Sequence, residues 1–264
     1  MAGPANPDLC ALRARIQALE TGRLHGRVMP VGLPAIDAAL PGGGLALGAL
    51  HEILGAGADE EDGAVPAAFA ASLLARLTRR AGGSVLWCLQ ADDLYAPGLA
   101  ASGLLPSLLV VARCRDDAEI LWAMEEGLRS AVPAAVLGEI GTLAPTAGRR
   151  LLLACEAGGV TAFVLRRWRE GGLAARQRAA PSAAVTRWRV ASAASRSAGE
   201  PGVGTPRWRV ELLRCRGGAP GTWLVMEGLK EIESREDGDA TGHVALAAGL
   251  ADRPAAIAPR RRAG

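Results

Sequence analysis

The sequence predicts an α/β protein: a mostly parallel sheet flanked by helices, with an antiparallel extension in the C-terminal third. Two observations lead there. Between His51 and Leu165, apolar runs of strand length alternate with amphipathic runs of helix length, the pattern of right-handed crossovers that cover both faces of a parallel sheet. Beyond residue 166 the helical rhythm stops, and two copies of Arg-Trp-Arg-Val are separated by a Ser/Gly/Pro-rich loop. That arrangement suits two antiparallel strands whose alternate residues face opposite ways.

Taken in order, Asp8 to Glu20 is a short helix. Leu9, Leu12, Ile16 and Leu19 recur at helical spacing, and Asn6 or Asp8 can cap its start. So short a stripe needs a surface to pack on, whether its own domain, a partner helix or a second copy; residues 1–25 are therefore a candidate self-association element. Turn-rich residues follow up to Gly48, and His51 to Leu54 is a buried strand. Val65, Phe69, Leu73 and Leu77 mark one helix face that ends near Arg79 and Arg80, where cations suit the helix dipole. Ser84–Leu89 and Leu108–Ala112 are strands. Asp116–Arg129 is a helix with Ile120, Leu121, Met124 and Leu128 inward, and Ala134–Leu137 is a strand ending at Gly138-Glu139. Arg149–Ala157 is a helix and Val160–Leu165 a strand. Residues 185–193 and 206–215 form the antiparallel pair, Thr222–Met226 adds a strand, and 231–264, rich in acids, Gly, Ala and Pro, is a flexible tail. The core is 26–230.

Composition narrows the function. Half of the 264 residues are hydrophobic and the net charge is only +3, which excludes disorder over the whole length. Apolar runs such as Leu104–Ala112 fall short of the ~18–20 residues that cross a bilayer, and Met1–Asp8 has no signal-peptide pattern, so a cytoplasmic location is expected. Cysteines 10, 88, 114, 155 and 215 and histidines 25, 51 and 243 are scattered. The expectation is buried reduced thiols, with no disulfide frame and no metal site. Residues 1–160 hold 12 arginines against 17 acids, whereas 161–264 hold 18 basic residues against 10 acids, so the second half is the candidate anion-facing half.

In an α/β protein, phosphates bind where a core strand passes into the next helix. Here that loop runs from Gly55 through Gly57 to Gly63, Ala64 and Val65. It has the place and the glycines but not the chemistry. A working phosphate loop places lysine and a hydroxyl residue after its last glycine; this chain has Ala64 and Val65 there, and its one lysine is Lys230. Asp59, Glu60, Glu61 and Asp62 put four carboxylates where a triphosphate would sit, which is repulsive. Neither ATP binding nor any cofactor is expected.

Val31-Gly32-Leu33-Pro34-Ala35-Ile36-Asp37-Ala38-Ala39-Leu40-Pro41-Gly42-Gly43-Gly44-Leu45, followed by His51-Glu52-Ile53-Leu54-Gly55, resembles the entry into the RecA core. Ser84–Tyr95 resembles its second core strand and following loop, and Glu139 stands at the end of the strand in the Walker B position. Within that superfamily the order of motifs is most similar to the ImuA family of bacterial SOS mutagenesis cassettes: Trp87 with Asp92, Leu94 and Tyr95, Arg149-Arg150-Leu151-Leu152-Leu153-Ala154 and the late Arg-Trp-Arg-Val strands. The resemblance implies a non-catalytic accessory protein of damage-induced translesion synthesis. It also implies partners: an ImuB-like relative of Y-family polymerases, an error-prone DnaE-type polymerase, and RecA.

Each motif has a plainer reading. Arg187, Arg189, Arg207 and Arg209 form either a phosphate- or DNA-facing surface or the ordinary wet face of a hairpin. Trp168, Trp188 and Trp208 suit core packing better than base stacking. Glu139 is expected to be vestigial, and Asp59–Asp62 a solvated loop or a dock for a basic partner. A noncanonical DNA-stimulated ATPase, with an arginine or Lys230 replacing the missing lysine, and an SOS-induced regulator of cell division are the alternatives to a scaffold.

Overall fold

A computed structural model of the chain describes residues 27–57, 63–168, 180–196, 204–226 and Leu229. The expected N-terminal helix with Leu9, Leu12, Ile16 and Leu19, the acids Asp59–Asp62, and the 231–264 tail lie outside the described residues.

The described chain begins with a small ribbon in which β1 (Val28–Met29) pairs antiparallel with β2 (Leu45–Ala46). Between them lies the single helical turn α1 (Pro34–Asp37), begun by a proline at its first position. Asp37 ties this entry together: its two carboxylate oxygens accept from the backbone N–H groups of Val31 and Gly32, at 2.6 and 2.9 Å. Then come β3 (Leu50–Gly55), α2 (Ala64–Ala81), β4 (Val85–Leu89), α3 (Ala96–Ala101) and β5 (Leu109–Arg113). The chain continues through α4 (Asp117–Ser130), β6 (Ala135–Ile140), α5 (Pro145–Gly158), β7 (Thr161–Arg166), β8 (Thr186–Arg196), β9 (Thr205–Cys215) and β10 (Gly221–Met226).

Eight of these strands form one sheet in the order β10-β9-β8-β3-β7-β6-β4-β5. From β8 to β5 every pairing is parallel, while β8-β9 and β9-β10 are antiparallel. The expected α/β class with an antiparallel addition is therefore the observed one. No helix among the described residues is long and apolar enough to cross a membrane.

Each sheet face has its own core. On one face Ile53, Phe163, Leu165, Trp87 and Trp188 pack under α2, whose Phe69, Leu73 and Leu77 face down. Its run of buried alanines, Ala70, Ala71 and Ala75, lets the helix sit low. On the other face Leu50, Val136, Ala162 and Val164 pack under α4 and α5. A side chain at Gly138 would run into Met124 of α4, so glycine in β6 lets that helix lie directly on the sheet. Helix α4 starts as its sequence suggests: Asp116 caps it by accepting from the Glu119 N–H at 2.8 Å. Helix α5 begins four residues before the predicted Arg149, because Pro145 occupies its first turn, where no N–H is needed.

Trp188 and Trp208 are core residues, with the Trp188 ring 5.7 Å from Phe69 and 6.5 Å from Trp223. Cys88, Cys114 and Cys155 are buried free thiols and Cys215 is half-buried; burial pushes the thiols of Cys88 and Cys155 up to about 12.

His51 is wholly buried in β3, and its contacts fix its form. Nε2 lies 2.8 Å from the Ala46 carbonyl, which can only accept, so Nε2 carries the proton. Nδ1 then accepts from the Thr186 hydroxyl at 2.7 Å, and the same oxygen accepts from Trp188 Nε1 at 2.7 Å. Burial lowers the His51 pKa to about 4. A folded value below the unfolded one contributes stability that is full above about pH 6.5 and is lost as pH falls toward 4. Urea denaturation is therefore expected to show wild-type protein losing about 2 kcal/mol more than His51→Asn between pH 7 and pH 5.

Candidate functional site

The sheet places the candidate site at the carboxyl ends of β3 and β7. The chain leaving β3 enters α2 on one face. The segment Pro181–Ala183 that leads into β8 lies on the opposite face, where Ala183 packs on Gly148 of α5. Adjacent parallel strands whose continuations part to opposite faces open a crevice, the position where open α/β sheets bind ligands. Gly55 ends β3, Gly57 bends away from it, and Gly63 precedes the first residues of α2, Ala64 and Val65. Ala64 is exposed and Val65 half-buried; neither carries a polar side-chain atom.

On the α2 side of the sheet, Glu139 stands near the end of β6 as expected, but it is not open to solvent. One carboxylate oxygen accepts from Trp87 Nε1 at 2.8 Å, and the other meets Arg167 Nη1 at 3.0 Å. The second nitrogen of that guanidinium reaches Asp93 at 2.9 Å. Arg167 thus reaches from the end of β7 past β6 to the loop after β4, with Glu139 held between. Burial pushes the Glu139 carboxyl above its ordinary range, opposed by the charge of Arg167 and the hydrogen bond from Trp87.

On the other side a second network lies deeper. Glu52, at the centre of β3 and 1% exposed, faces Arg187 directly across the β3-β8 pair and Arg166 diagonally across β3-β7. Arg166 Nη1 meets Glu52 Oε1 at 3.0 Å, and Arg187 Nε meets Oε2 at 3.3 Å. Further bonds from the same arginines go to backbone carbonyls: Arg166 to Gly141 at 2.8 Å and Arg187 to Ala180 at 2.9 Å. The Trp168 indole also donates to Gly141, at 2.9 Å, and lies beneath the Arg166 guanidinium, 5.3 Å from charge to ring centre. Burial lowers the pKa of Arg166 against the pull of Glu52. Asp117, in the first turn of α4, accepts from the Thr142 N–H at 2.9 Å and so holds the loop after β6 against this cluster.

These positions correct one sequence expectation. Arg187, grouped with Arg189, Arg207 and Arg209 as an anion-facing set, is buried against Glu52. Arg189 and Arg209 both reach Glu211, which stands on the same sheet face; Arg207 is half-buried. The cause is register: β8 lies inside the sheet beside β3, so the arginine opposite Glu52 is covered, and only those further along or on β9 reach solvent. Among the described residues no group of three or more His, Cys, Asp or Glu side chains is placed to hold a metal. Sequence reasoning passed over Glu52, Arg166, Arg167 and Asp93 as site residues. The usable signal was Glu52 itself, an acid within an apolar parallel strand, which needs a buried cation close by.

No established family profile matches the chain. Protein ImuA of Caulobacter vibrioides, from strain NA1000 / CB15N and from strain ATCC 19089 / CIP 103742 / CB 15, is in each case 43% identical to it over 238 residues. The matched region covers 89% of this chain and 95% of the relative. The chain belongs to the ImuA family. The described crevice, with its two arginine networks, is therefore a crevice in an ImuA-family chain and lies wholly within the span from β3 to β8.

Two outcomes are expected. Arg167→Ala leaves the buried Glu139 carboxylate without its counter-charge, raising its folded pKa further. An acid whose folded pKa is raised contributes stability below its unfolded value and loses it as pH climbs through the folded one. Thermal and urea unfolding should find this variant about 2 kcal/mol less stable than wild type at pH 8, and closer to it at pH 5. Glu52→Leu leaves two buried guanidinium groups facing each other and should cost about 3–5 kcal/mol by urea unfolding at pH 7.

Proposed function

We propose that this ImuA-family protein is a non-catalytic, RecA-like scaffold in DNA-damage-induced mutagenic translesion synthesis. In this reading it binds other proteins of the mutagenesis machinery: an ImuB-like relative of Y-family polymerases, an error-prone DnaE-type polymerase, and RecA. One observation carries the non-catalytic part. The carboxylate best placed to orient an attacking water, Glu139, is hydrogen-bonded by Trp87 and ion-paired with Arg167, whose other arm is held by Asp93. An arginine of the chain itself therefore engages the carboxylate that stands at the Walker B position. Two features of the sequence act in the same direction: no lysine or hydroxyl residue follows Gly63, and four acids precede it.

The physical cost of nucleotide entry supports the reading. A triphosphate would have to draw Arg167 away from Glu139, leaving a carboxylate that burial already disfavours facing further negative charge. The loop would repay this with backbone N–H groups alone, since the residue types that hold the β- and γ-phosphates and magnesium are missing.

Purified full-length protein is expected to show no saturable binding of a fluorescent ATP analogue with magnesium at millimolar ligand, and no hydrolysis above background with or without single-stranded DNA. Tagged protein recovered from DNA-damaged host cells is expected to carry a Y-family-like protein, a DnaE-type polymerase or RecA. Saturable nucleotide binding that is lost on changing Gly63 or Glu139 would instead establish the noncanonical ATPase. Retention of division proteins alone would support the cell-division reading.

A further inference from the structure

A cavity of about 560 Å³ lies between the outer face of α5 and the segment Pro181–Ala183 that leads into β8. Its floor is apolar, with Leu152 and Leu153 on one wall and Ala183 on the other. Arg149 and Arg216 are its cations and Glu156 is its single acid. The run Arg149-Arg150-Leu151-Leu152-Leu153-Ala154 divides its labour sharply. Leu151 and Leu152 go into the core, Arg150 pairs with Glu125, and Arg149 and Leu153 turn outward, Leu153 being 55% exposed. Among the described residues, Arg149, Glu156 and Arg216 make no ion pair and no side-chain hydrogen bond. By contrast the neighbouring Arg214 is used by the fold, donating to the Ser182 carbonyl at 2.6 Å.

The pattern has a direction. Arg149, Leu153 and Glu156 fall at i, i+4 and i+7 on α5, so a cation, an apolar side chain and an anion follow one another along about 10 Å of one helix face. Arg216 lies across the groove on the segment after β9. A small inorganic anion would engage the two arginines and leave Leu153 uncovered. A nucleic-acid strand would meet the carboxylate of Glu156 and find no aromatic ring among the lining residues on which to stack a base. A peptide satisfies all of it, with acids against Arg149 and Arg216, an apolar anchor over Leu152 and Leu153, and a basic or polar residue at Glu156.

We propose that this groove is the docking site for an acidic segment of a partner protein that carries one large apolar anchor residue. The site stands on its own geometry and is independent of whether the crevice takes a nucleotide. Charge sets the approach and the orientation, because Arg149 and Glu156 stand about two turns apart along α5 with opposite charge. The anchor supplies affinity by covering Leu153 and displacing water from the apolar floor.

The test is a selection of displayed 12-residue random peptides on the full-length protein. It is followed by fluorescence anisotropy of the enriched sequences as labelled synthetic peptides. Enrichment of peptides with Asp or Glu flanking a Leu, Ile, Phe or Trp is expected. Their binding should weaken about tenfold or more in Arg149→Glu with Arg216→Glu, and likewise in Leu153→Asp. These side chains lie at the surface of the groove, and a melting temperature close to wild type in each variant separates lost contact from lost fold. Because the second partner charge meets Glu156, Glu156→Arg should favour peptides that are acidic at both ends. The proposal is overturned if no peptide is enriched, if enriched peptides lack the acidic and apolar pattern, or if the variants bind them as wild type does. Inorganic phosphate or a single-stranded oligonucleotide binding in place of peptides, and lost in the double arginine variant, would assign the groove to an anion and overturn the peptide reading.

Discussion

A carboxylate in the central strand of a doubly covered sheet has to be neutralised where it stands, and the neutralisation of Glu52 by Arg166 and Arg187 organises what surrounds it. The two arginines come from the strands on either side of β3, so the triad joins three neighbouring strands at one level. It also ties the antiparallel addition to the parallel core, because Arg187 belongs to the first strand of that addition. Once Arg166 is drawn inward to Glu52, strand alternation turns Arg167 to the opposite face, toward Glu139 and Asp93. The pairing of Arg167 with Glu139 thus follows from the demand of a buried acid two strands away from Glu139.

The two networks on either side of the sheet have different characters. The one around Glu52 is deeply buried, with backbone carbonyls of Gly141 and Ala180 taking further donors of the arginines. Such a cluster contributes specificity of strand order more than net stability, since desolvating three charges offsets most of their attraction. The one around Glu139 sits closer to solvent: Arg167 is 17% exposed and Asp93 more so. Its members come from β4, β6, the residue after β7 and the loop after β4, so it joins three neighbouring strands near their carboxyl ends.

The groove beside α5 shows the same economy from outside. Helix α5 uses Leu151, Leu152 and Cys155 to cover the sheet and Arg150 to meet Glu125 of α4. Its remaining face presents Arg149, Leu153 and Glu156 in an order that neither core packing nor the crevice requires. Those positions are ones the fold itself leaves unused, and sites for binding or chemistry are set by such positions and not by the architecture.

Much of this was legible in the sequence. Alternating apolar and amphipathic runs determined the α/β class, the identity of most strands and the antiparallel addition, because a buried parallel strand and a helix stripe have different periods. The missing lysine and hydroxyl after Gly63 were likewise sequence facts, and residue types alone state what a loop lacks. What the sequence did not contain was the pairing of charges. Arg187 and Arg189 share one face of one strand and are alike by pattern, yet one is buried on Glu52 and the other reaches Glu211, because their cover depends on what the neighbouring strand places opposite. Arg167 meets Glu139 across 28 positions of chain and Asp93 across 74. Such contacts are set by strand order, which local periodicity does not encode, and only the folded sheet decided which acid each arginine would neutralise.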